Sequence, residues 1–335
     1  MTNSLNRIEK RVLKLAKSNN LPSLSLQVKT KDAVLNIDYV HPETSPQPIY
    51  GIGSATKFLS AMLIFKLVED EQLNLKDKAA TYVKSLDAIE NGNSISVEQL
   101  LNHTSGLSDY TANPEWRKTV TRGNSSKEFE TKFGYISSTL NNHGSYTYSN
   151  SNYLILQKIV ETVLNQPYDL SFETFFENQG LQNIKLGDVN KSLQAFYAEN
   201  SDASSDVSQW QENYGFDGGA YSVPYELNTL LQKFFVEKTI LTADTVSQMT
   251  DWISMGAMAI PIGEGSISAY GNGVMKLLYK GKEYLGHAGG TFKYQSFMFY
   301  NKEDDIAISI LTNCSGKHYS NVFFQEIVPI VLDNL

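Results

Sequence analysis

The chain has 335 residues, of which 41% are hydrophobic and 19% charged, the balance of an ordinary globular protein with one or two domains. Its net charge of −8 at pH 7 argues against nucleic-acid binding, which needs a basic face to displace counterions. No apolar run approaches the ~18 residues that cross a bilayer. The single cysteine, Cys314, excludes an internal disulfide and a cysteine-based zinc site.

The N-terminal segment alternates charged residues with leucine, which predicts an amphipathic helix over 3–19 rather than a signal peptide. The protein is therefore expected to be cytoplasmic, or periplasmic or extracellular if a leader was removed and replaced by Met1. Residues 22–29 and 33–41 then alternate apolar and polar side chains on either side of a turn at 30–32, as a β-hairpin does.

The middle of the chain is predicted to be mostly helical. The spacing of Phe58, Met62 and Phe65 predicts a helix from Ser54 to about residue 71. Other helical segments are predicted at 96–103, 151–165, 169–178 and 224–236, and a polar surface excursion at 190–213. After about residue 265 strand-like segments return, and a last helix is predicted over 317–334.

Strands at both ends of the chain around a helical middle predict an α+β fold, in which both termini contribute to one antiparallel sheet flanked by helices. Residues 1–70 and 256–335 would form an α/β domain, and residues 71–255 a mostly helical inserted domain. The active site is expected in the cleft between the two.

Ser54 and Lys57 are the first residues that can carry chemistry. They stand three positions apart where the sequence GIGS meets a helix, so the hydroxyl and the amine share one helix face. A serine hydroxyl is a weak nucleophile until a neighbouring base activates it, and an apolar setting favours the neutral lysine that can act as that base. The alternative is that Ser54 only caps the helix, as serine often does.

Tyr148 and Asn150 form a second candidate pair, just before the helix at 151–165. A tyrosine near a lysine can be held partly as phenolate and act as a general base, and the asparagine can hydrogen-bond a substrate amide. The same spacing also occurs at Tyr270-Gly271-Asn272 and Tyr319-Ser320-Asn321. For any one match, a buried core tyrosine is the default interpretation.

His287 lies two residues before Gly289 and Gly290 in a strand-like segment, and the glycines let a ligand approach the backbone closely. The histidine is a candidate to bind a substrate carboxylate or to steady the tyrosine. No two histidines stand at metal-ligand spacing, and no metal or cofactor is predicted. The remaining histidines are interpreted as structural: His41, His103, His143 and His318.

In combination, these motifs resemble the serine beta-lactamase-related family, which contains class C beta-lactamases, D-alanyl-D-alanine carboxypeptidases and related esterases. The S-x-x-K motif at Ser54 begins the resemblance, which runs from about residue 50 to 313. The matching segments are Ser54-x-x-Lys57, Tyr148-x-Asn150, His287-x-Gly289, LLNHTSGLSDY at 100–110, DGGAYSVPYELNTLL at 217–231, and GHAGGTFKYQSFMFYN followed by ISILTN.

The resemblance implies a beta-lactamase/transpeptidase-like fold and a reaction through an acyl-enzyme on Ser54. It also implies that Lys57 and Tyr148 handle protons, that Asn150 contacts the substrate amide, and that the backbone N–H groups of Ser54 and Gly290 form an oxyanion hole. One position departs from the pattern, because class C beta-lactamases carry lysine where this chain has His287.

Histidine at this position resembles the carboxypeptidase, aminopeptidase and esterase branches. The first interpretation is therefore a penicillin-binding, D-alanyl-D-alanine carboxypeptidase-like peptidase acting on a small peptide, ester or lactam. An esterase or a weak beta-lactamase is the alternative within the family. The alternative from another class is a catalytically silent ligand-binding protein on the same fold. The sequence predicts no oligomeric state.

Overall fold

The structure is a computed structural model that describes residues 2–40, 49–187, 194–201 and 203–335. His41 and parts of the predicted hairpin and of the polar excursion lie outside these residues. The regular helices, in chain order, are α1 Thr2–Ser18, α2 Thr56–Glu69, α3 Val97–Leu101, α4 Pro114–Thr121, α5 Phe129–Phe133, α6 Asn150–Leu164, α7 Tyr168–Glu177, α8 Pro224–Gln232, α9 Ala243–Met249, α10 Lys317–Asn321 and α11 Val328–Leu332. No helix among the described residues is both long and apolar enough to span a membrane.

The strands outside the main C-terminal run are mostly short. In chain order the strands are β1 Ser23–Lys29, β2 Val34–Val40, β3 Tyr50–Gly51, β4 Lys185–Leu186, β5 Phe196–Asn200, β6 Ala203–Asp206, β7 Ala220–Ser222, β8 Ile253–Ser254, β9 Ile260–Ile262, β10 Gly265–Tyr270, β11 Met275–Tyr279, β12 Lys282–Gly290, β13 Gln295–Asn301, β14 Ile306–Thr312 and β15 Cys314–Ser315. β5 and β6 lie within the predicted polar excursion.

One antiparallel sheet is built from both ends of the chain, as the sequence predicts. Its strand order is β2-β1-β14-β13-β12-β11-β10-β8, and β9 adds to β10. The N-terminal strand β1 pairs with β14, with Leu26 opposite Ile310. The α+β class is therefore confirmed, while the division into two domains stays a prediction. β8 already pairs with β10, so the sheet begins before residue 256.

The central strands β1, β13 and β14 are buried on both faces, which is why their sequences are rich in apolar residues. Successive side chains of a strand point to opposite faces. In β13, Phe297 and Phe299 pack with the terminal helices α1 and α11, whereas Met298 packs with α2 and the helical region. Helix α2 is buried almost all round, so it is a core helix, and it carries Lys57 into the interior.

The predicted helices occur, with three adjustments. α3 ends at Leu101, and His103 has a left-handed backbone conformation that a continuing helix does not allow. The helix predicted over 224–236 changes from α8 into a π-helical turn at Lys233–Glu237. The C-terminal helix is likewise α10 and α11 joined by a π-helical segment, Val322–Ile327.

Candidate active site

Ser54 lies in a 3-10 turn, Gly53–Ala55, that leads directly into α2. It does not cap this helix, because the N-cap position belongs to Ala55 and no side chain caps it. Gly53 has a φ of +52°, and a side-chain Cβ there would lie 2.8 Å from the backbone nitrogen of Gly290. The close approach of these two glycines therefore places Ser54 beside the end of β12.

Lys57 is fully buried one helical turn after Ser54. Its Nζ lies 3.3 Å from Ser54 Oγ and 2.6 Å from Asn150 Oδ1, and it also donates to the backbone carbonyl of Asp217. Burial lowers the pKa of Lys57 to about 8, against the opposing effect of the negative charges of Asp217 and Asp109. The amine is therefore much easier to deprotonate than an exposed lysine.

The three contacts of Lys57 differ in kind. The carbonyl oxygens of Asn150 and Asp217 can only accept hydrogen bonds, so they occupy two N–H groups of the amine. The hydroxyl of Ser54 can donate. When Lys57 is neutral, its lone pair is left to face Ser54, and this is the arrangement of a base beside its nucleophile.

Asn150 is held from the other side. Its Nδ2 donates to Asp109 Oδ2 and to Thr111 Oγ1, each at 3.0 Å, so its carbonyl oxygen is directed at Lys57. Both N–H groups of the amide are thus already paired. The sequence predicts that Asn150 contacts a substrate amide, whereas in the structure its side chain positions the lysine.

Tyr148 is half-buried beside Ser54 and Lys57. The Nζ of Lys57 lies 5.0 Å from the centroid of its ring, and the ring of His103 packs against it at a centroid distance of 4.3 Å with the planes tilted by 33°. Burial raises the pKa of Tyr148 well above its usual value, although a hydrogen bond with Ser54 acts in the opposite direction. The phenol is therefore neutral at rest, which differs from the partial phenolate that the sequence suggests.

His287 is fully buried and does not line the cleft. Its Nε2 lies 3.0 Å from the hydroxyl of Tyr270, and its Nδ1 lies 2.6 Å from the carbonyl of Ala288. Burial and the charge of Lys57 lower the pKa of His287 to about 3, while the bond to Ala288 opposes this shift. A neutral, fully paired imidazole is unsuited to the carboxylate binding expected from the sequence; it supports a tyrosine, but that tyrosine is Tyr270.

Gly289 and Gly290 have different surroundings. A Cβ on Gly289 would lie 2.0 Å from the carbonyl oxygen of Ile52 and 2.9 Å from the nitrogen of Ala55, so the turn that carries Ser54 packs directly on this position. A Cβ on Gly290 would have nothing within 4 Å. Gly289 is thus needed for packing, whereas Gly290 faces open space in the cleft.

Sequence reasoning missed four residues of this site. Asp109 and Asp217 position Asn150 and Lys57, and the rings of His103 and Tyr270 pack beside Tyr148. Asp109, His103 and Asp217 lie in segments that carry the family resemblance, and this is the sequence feature that could have identified them as site residues. No sequence feature identifies Tyr270 as a site residue, because its Y-x-N spacing to Asn272 is the same as that of Tyr148 to Asn150 and does not distinguish the two.

Two cavities meet at Gly290. One has a volume of about 390 Å³ and is lined by Ser54, Tyr146, Tyr148, Met255, Met258, Ile260, Met275, Ala288, Gly289, Gly290 and Phe324. The other has a volume of about 300 Å³; its lining is mostly polar or aromatic and includes Asn150, Arg117, Thr111 and Ser315. Ser54 therefore lines the apolar cavity, and the more polar cavity adjoins it at Gly290.

A serine beside a buried lysine and a tyrosine, at the end of an interior strand of an antiparallel sheet, is an arrangement suited to acyl transfer through a serine nucleophile. The family model described as Beta-lactamase matches residues 12–322, so the chain belongs to the beta-lactamase family. Some of its relatives and structural neighbours are named as hydrolases.

Two curated relatives come from Staphylococcus aureus. Protein flp of strain N315 is 26% identical over 322 residues, which cover 89% of this chain and 61% of that protein. Teichoic acid D-alanine hydrolase of strain MRSA252 is 26% identical over 167 residues, 48% of this chain and 35% of that protein. The chain thus spans about three fifths or less of the length of these relatives.

The fold is shared with solved structures of low sequence identity. D-amino acid amidase from Ochrobactrum anthropi SV3, complexed with L-phenylalanine amide, has a TM-score of 0.83 at 19% identity, with 99% of this chain and 98% of that chain covered. D-stereospecific amidohydrolase from Streptomyces sp. has a TM-score of 0.79 at 20% identity, with 98% and 96% covered. These likenesses concern the fold alone.

Proposed function

We propose that the protein hydrolyses an amide or ester of a D-amino acid through an acyl-enzyme on Ser54. The observation that carries the proposal is the position of Lys57, whose Nζ lies 3.3 Å from Ser54 Oγ while two carbonyl oxygens take its other hydrogen bonds. A buried amine with a pKa of about 8 is matched to general-base work near neutral pH.

In the acylation step, Ser54 Oγ attacks the substrate carbonyl carbon and its proton passes to Lys57. Tyr148 donates its proton to the departing oxygen or nitrogen, and Lys57 returns a proton to Tyr148. A neutral phenol, as the raised pKa of Tyr148 requires, is the protonation state that a proton donor needs. Water then attacks the acyl carbon and gives a proton to Lys57, the ester bond to Ser54 Oγ breaks, and this proton passes to Ser54 Oγ as the acid leaves.

The developing oxyanion is proposed to bind the backbone N–H groups of Ser54 and Gly290. The contact of Gly53 with the nitrogen of Gly290 supports this, because it brings the end of β12 to the turn that carries Ser54. Backbone donors that are fixed before the reaction stabilise such charge without reorganising.

The substrate class rests on two observations. Relatives and structural neighbours are named teichoic acid D-alanine hydrolase, D-amino acid amidase and D-stereospecific amidohydrolase. The burial of His287 removes the expected contact of this residue with a substrate carboxylate, which was one support for the D-alanyl-D-alanine carboxypeptidase interpretation beside the family resemblance. A D-aminoacyl amide or ester is therefore preferred over a carboxypeptidase substrate.

The test is hydrolysis of matched D- and L-alanine amides and esters, beside a D-Ala-D-Ala peptide and a penicillin, by wild type, Lys57→Met, Tyr148→Phe and the double variant. Each single substitution should reduce kcat/KM for the D-substrates by about 10²–10⁴-fold, and the losses should not multiply in the double variant, because the two groups act as one unit. Preference for the L-series, or full activity of either variant, would refute the proposal. Binding of the substrates without turnover would instead support the silent ligand-binding alternative.

A further inference from the structure

The apolar cavity beside Ser54 carries an inference about the substrate. Met255, Met258, Ile260, Met275, Phe324 and Ala288 supply most of its lining. Among the described residues that line it, none carries a charge at neutral pH. A cavity of about 390 Å³ whose lining has no cation cannot compensate a carboxylate for its lost hydration, so it favours the binding of apolar groups.

Two of these side chains stay exposed although they are large and apolar. Met258 is 43% exposed and Ile260 is 37% exposed, and both lie at the apolar cavity. They come from the segment after β8, where the nitrogen of Met258 donates to the carbonyl of Met255 at 2.9 Å. Exposed apolar groups that line a cavity beside a nucleophile are typical of a binding site, and unbranched methionine adapts to the shape of its ligand.

The position of Tyr148 decides which part of the substrate enters this cavity. Tyr148 lines the apolar cavity, whereas Asn150 lines the polar cavity that adjoins it at Gly290. In the proposed reaction Tyr148 protonates the departing atom, and a proton donor must lie within hydrogen-bonding reach of that atom. The leaving group is therefore on the apolar side.

Resting on the proposed function, we infer that the preferred substrate has an uncharged, apolar leaving group, an alkyl or aryl alcohol or amine that occupies the cavity of Met255, Met258, Ile260 and Phe324. The ester C–O or amide C–N bond breaks as Ser54 is acylated, and the apolar alcohol or amine leaves with the proton from Tyr148. Met258 and Ile260, at the rim, determine how long that group can be.

The experiment uses ethyl, butyl and hexyl esters of D-alanine, which all form the same acyl-enzyme. Each methylene that the cavity buries should raise kcat/KM by about fourfold, the equivalent of about 0.8 kcal/mol, while kcat for a common deacylation step stays constant. In a second series, of methyl esters in which the acyl chain is lengthened instead, kcat/KM should show no such rise. A rise confined to the second series would place the apolar group on the acyl side and overturn the inference.

Charge provides an independent arm. An ester whose alcohol ends in a carboxylate should react at least about tenfold more slowly than the neutral ester of equal length, because the cavity holds no cation to replace water around it. Equal or faster reaction of the carboxylate ester would contradict the inference and restore the carboxypeptidase interpretation.

Met258→Asp should reduce the ratio of hexyl to ethyl ester kcat/KM by about tenfold, because it places a charge at the rim of the cavity. Leu278→Asp is the matched control, since Leu278 is 47% exposed on β11 but does not line the cavity, and its ratio should stay at the wild-type value. Labelling of Ser54 by a fluorophosphonate is measured on the same samples. If the wild-type protein is neither labelled nor active, both proposals are refuted. If it is labelled and active but its kcat/KM does not depend on the length of the alcohol, only this inference is refuted.

Discussion

The Nε2 atom of His287 lies 3.0 Å from the hydroxyl oxygen of Tyr270, and both side chains are fully buried. The Nδ1 atom faces the carbonyl of Ala288, which can only accept, so Nδ1 carries the proton and Nε2 accepts from the tyrosine. The histidine thus fixes the position of Tyr270, whose ring packs against those of His103 and Tyr148.

His287→Lys should therefore destabilise the protein. The substitution buries an ammonium group without an acidic partner, which costs about 3 kcal/mol or more. Thermal unfolding measures the loss, and His318→Lys, at a position that is only half-buried, should change Tm little. A stable His287→Lys protein that binds penicillin more tightly at pH 8 would contradict this account.

Tyr270→Phe removes the hydrogen that His287 accepts and should lower stability by about 1–3 kcal/mol, because the buried Nε2 is left unpaired. The ring of Tyr270 also lies 4.8 Å from that of His103, next to Tyr148. Tyr319→Phe is the control, since the hydrogen-bond partner of Tyr319, Ser204, is exposed. Equal denaturant midpoints for the two variants would argue against the buried pair.

Gly289→Ala and Gly290→Ala form a matched pair of adjacent substitutions. Alanine at 289 meets the carbonyl of Ile52 at 2.0 Å and must displace the turn that carries Ser54, so both stability and acylation rate should fall. Alanine at 290 meets nothing within 4 Å, so the protein should unfold at the wild-type temperature. Circular dichroism melts and fluorophosphonate labelling rates decide the matter, and the reverse order of effects would be inconsistent with the structure.

The pH dependence of acylation follows from Lys57. Its pKa is lowered to about 8, and the neutral amine is the active base, so kcat/KM should rise about tenfold per pH unit below that value and level off above it. His287, with its pKa lowered to about 3, stays neutral from pH 5 to 8 and should add no inflection there. Profiles of a neutral ester and a penicillin test this, and an inflection near pH 6.5 for the penicillin alone would indicate a titrating histidine.

The overall architecture could be predicted because it depends on local patterns. Period-two alternation at residues 22–40 and the apolar segments after residue 265 identify strands. The backbone groups of these strands need hydrogen-bond partners, and strands from the other end of the chain are the main ones available. β1 therefore pairs with β14 across most of the chain length. Short strands such as β5 and β6 carry too few residues for a pattern to be visible.

The candidate site could be predicted only in part. Ser54 and Lys57 meet because three residues on a helix suffice to bring them together. The orientation of His287 was missed, although strand alternation holds the signal: His287 and Gly290 differ by three positions, so they face opposite sides of β12. The contact of Asp217 with Lys57 runs through a backbone carbonyl, and side-chain patterns do not reveal backbone contacts.

The central claim is that Ser54 is the residue that becomes acylated. The most direct measurement is intact-mass and peptide mass spectrometry after incubation with a fluorophosphonate and, separately, with a penicillin, on wild type and Ser54→Ala. The account predicts one adduct, located on the peptide that contains Ser54, and none on the Ser54→Ala protein. An adduct on another residue, or unchanged labelling of Ser54→Ala, would contradict it.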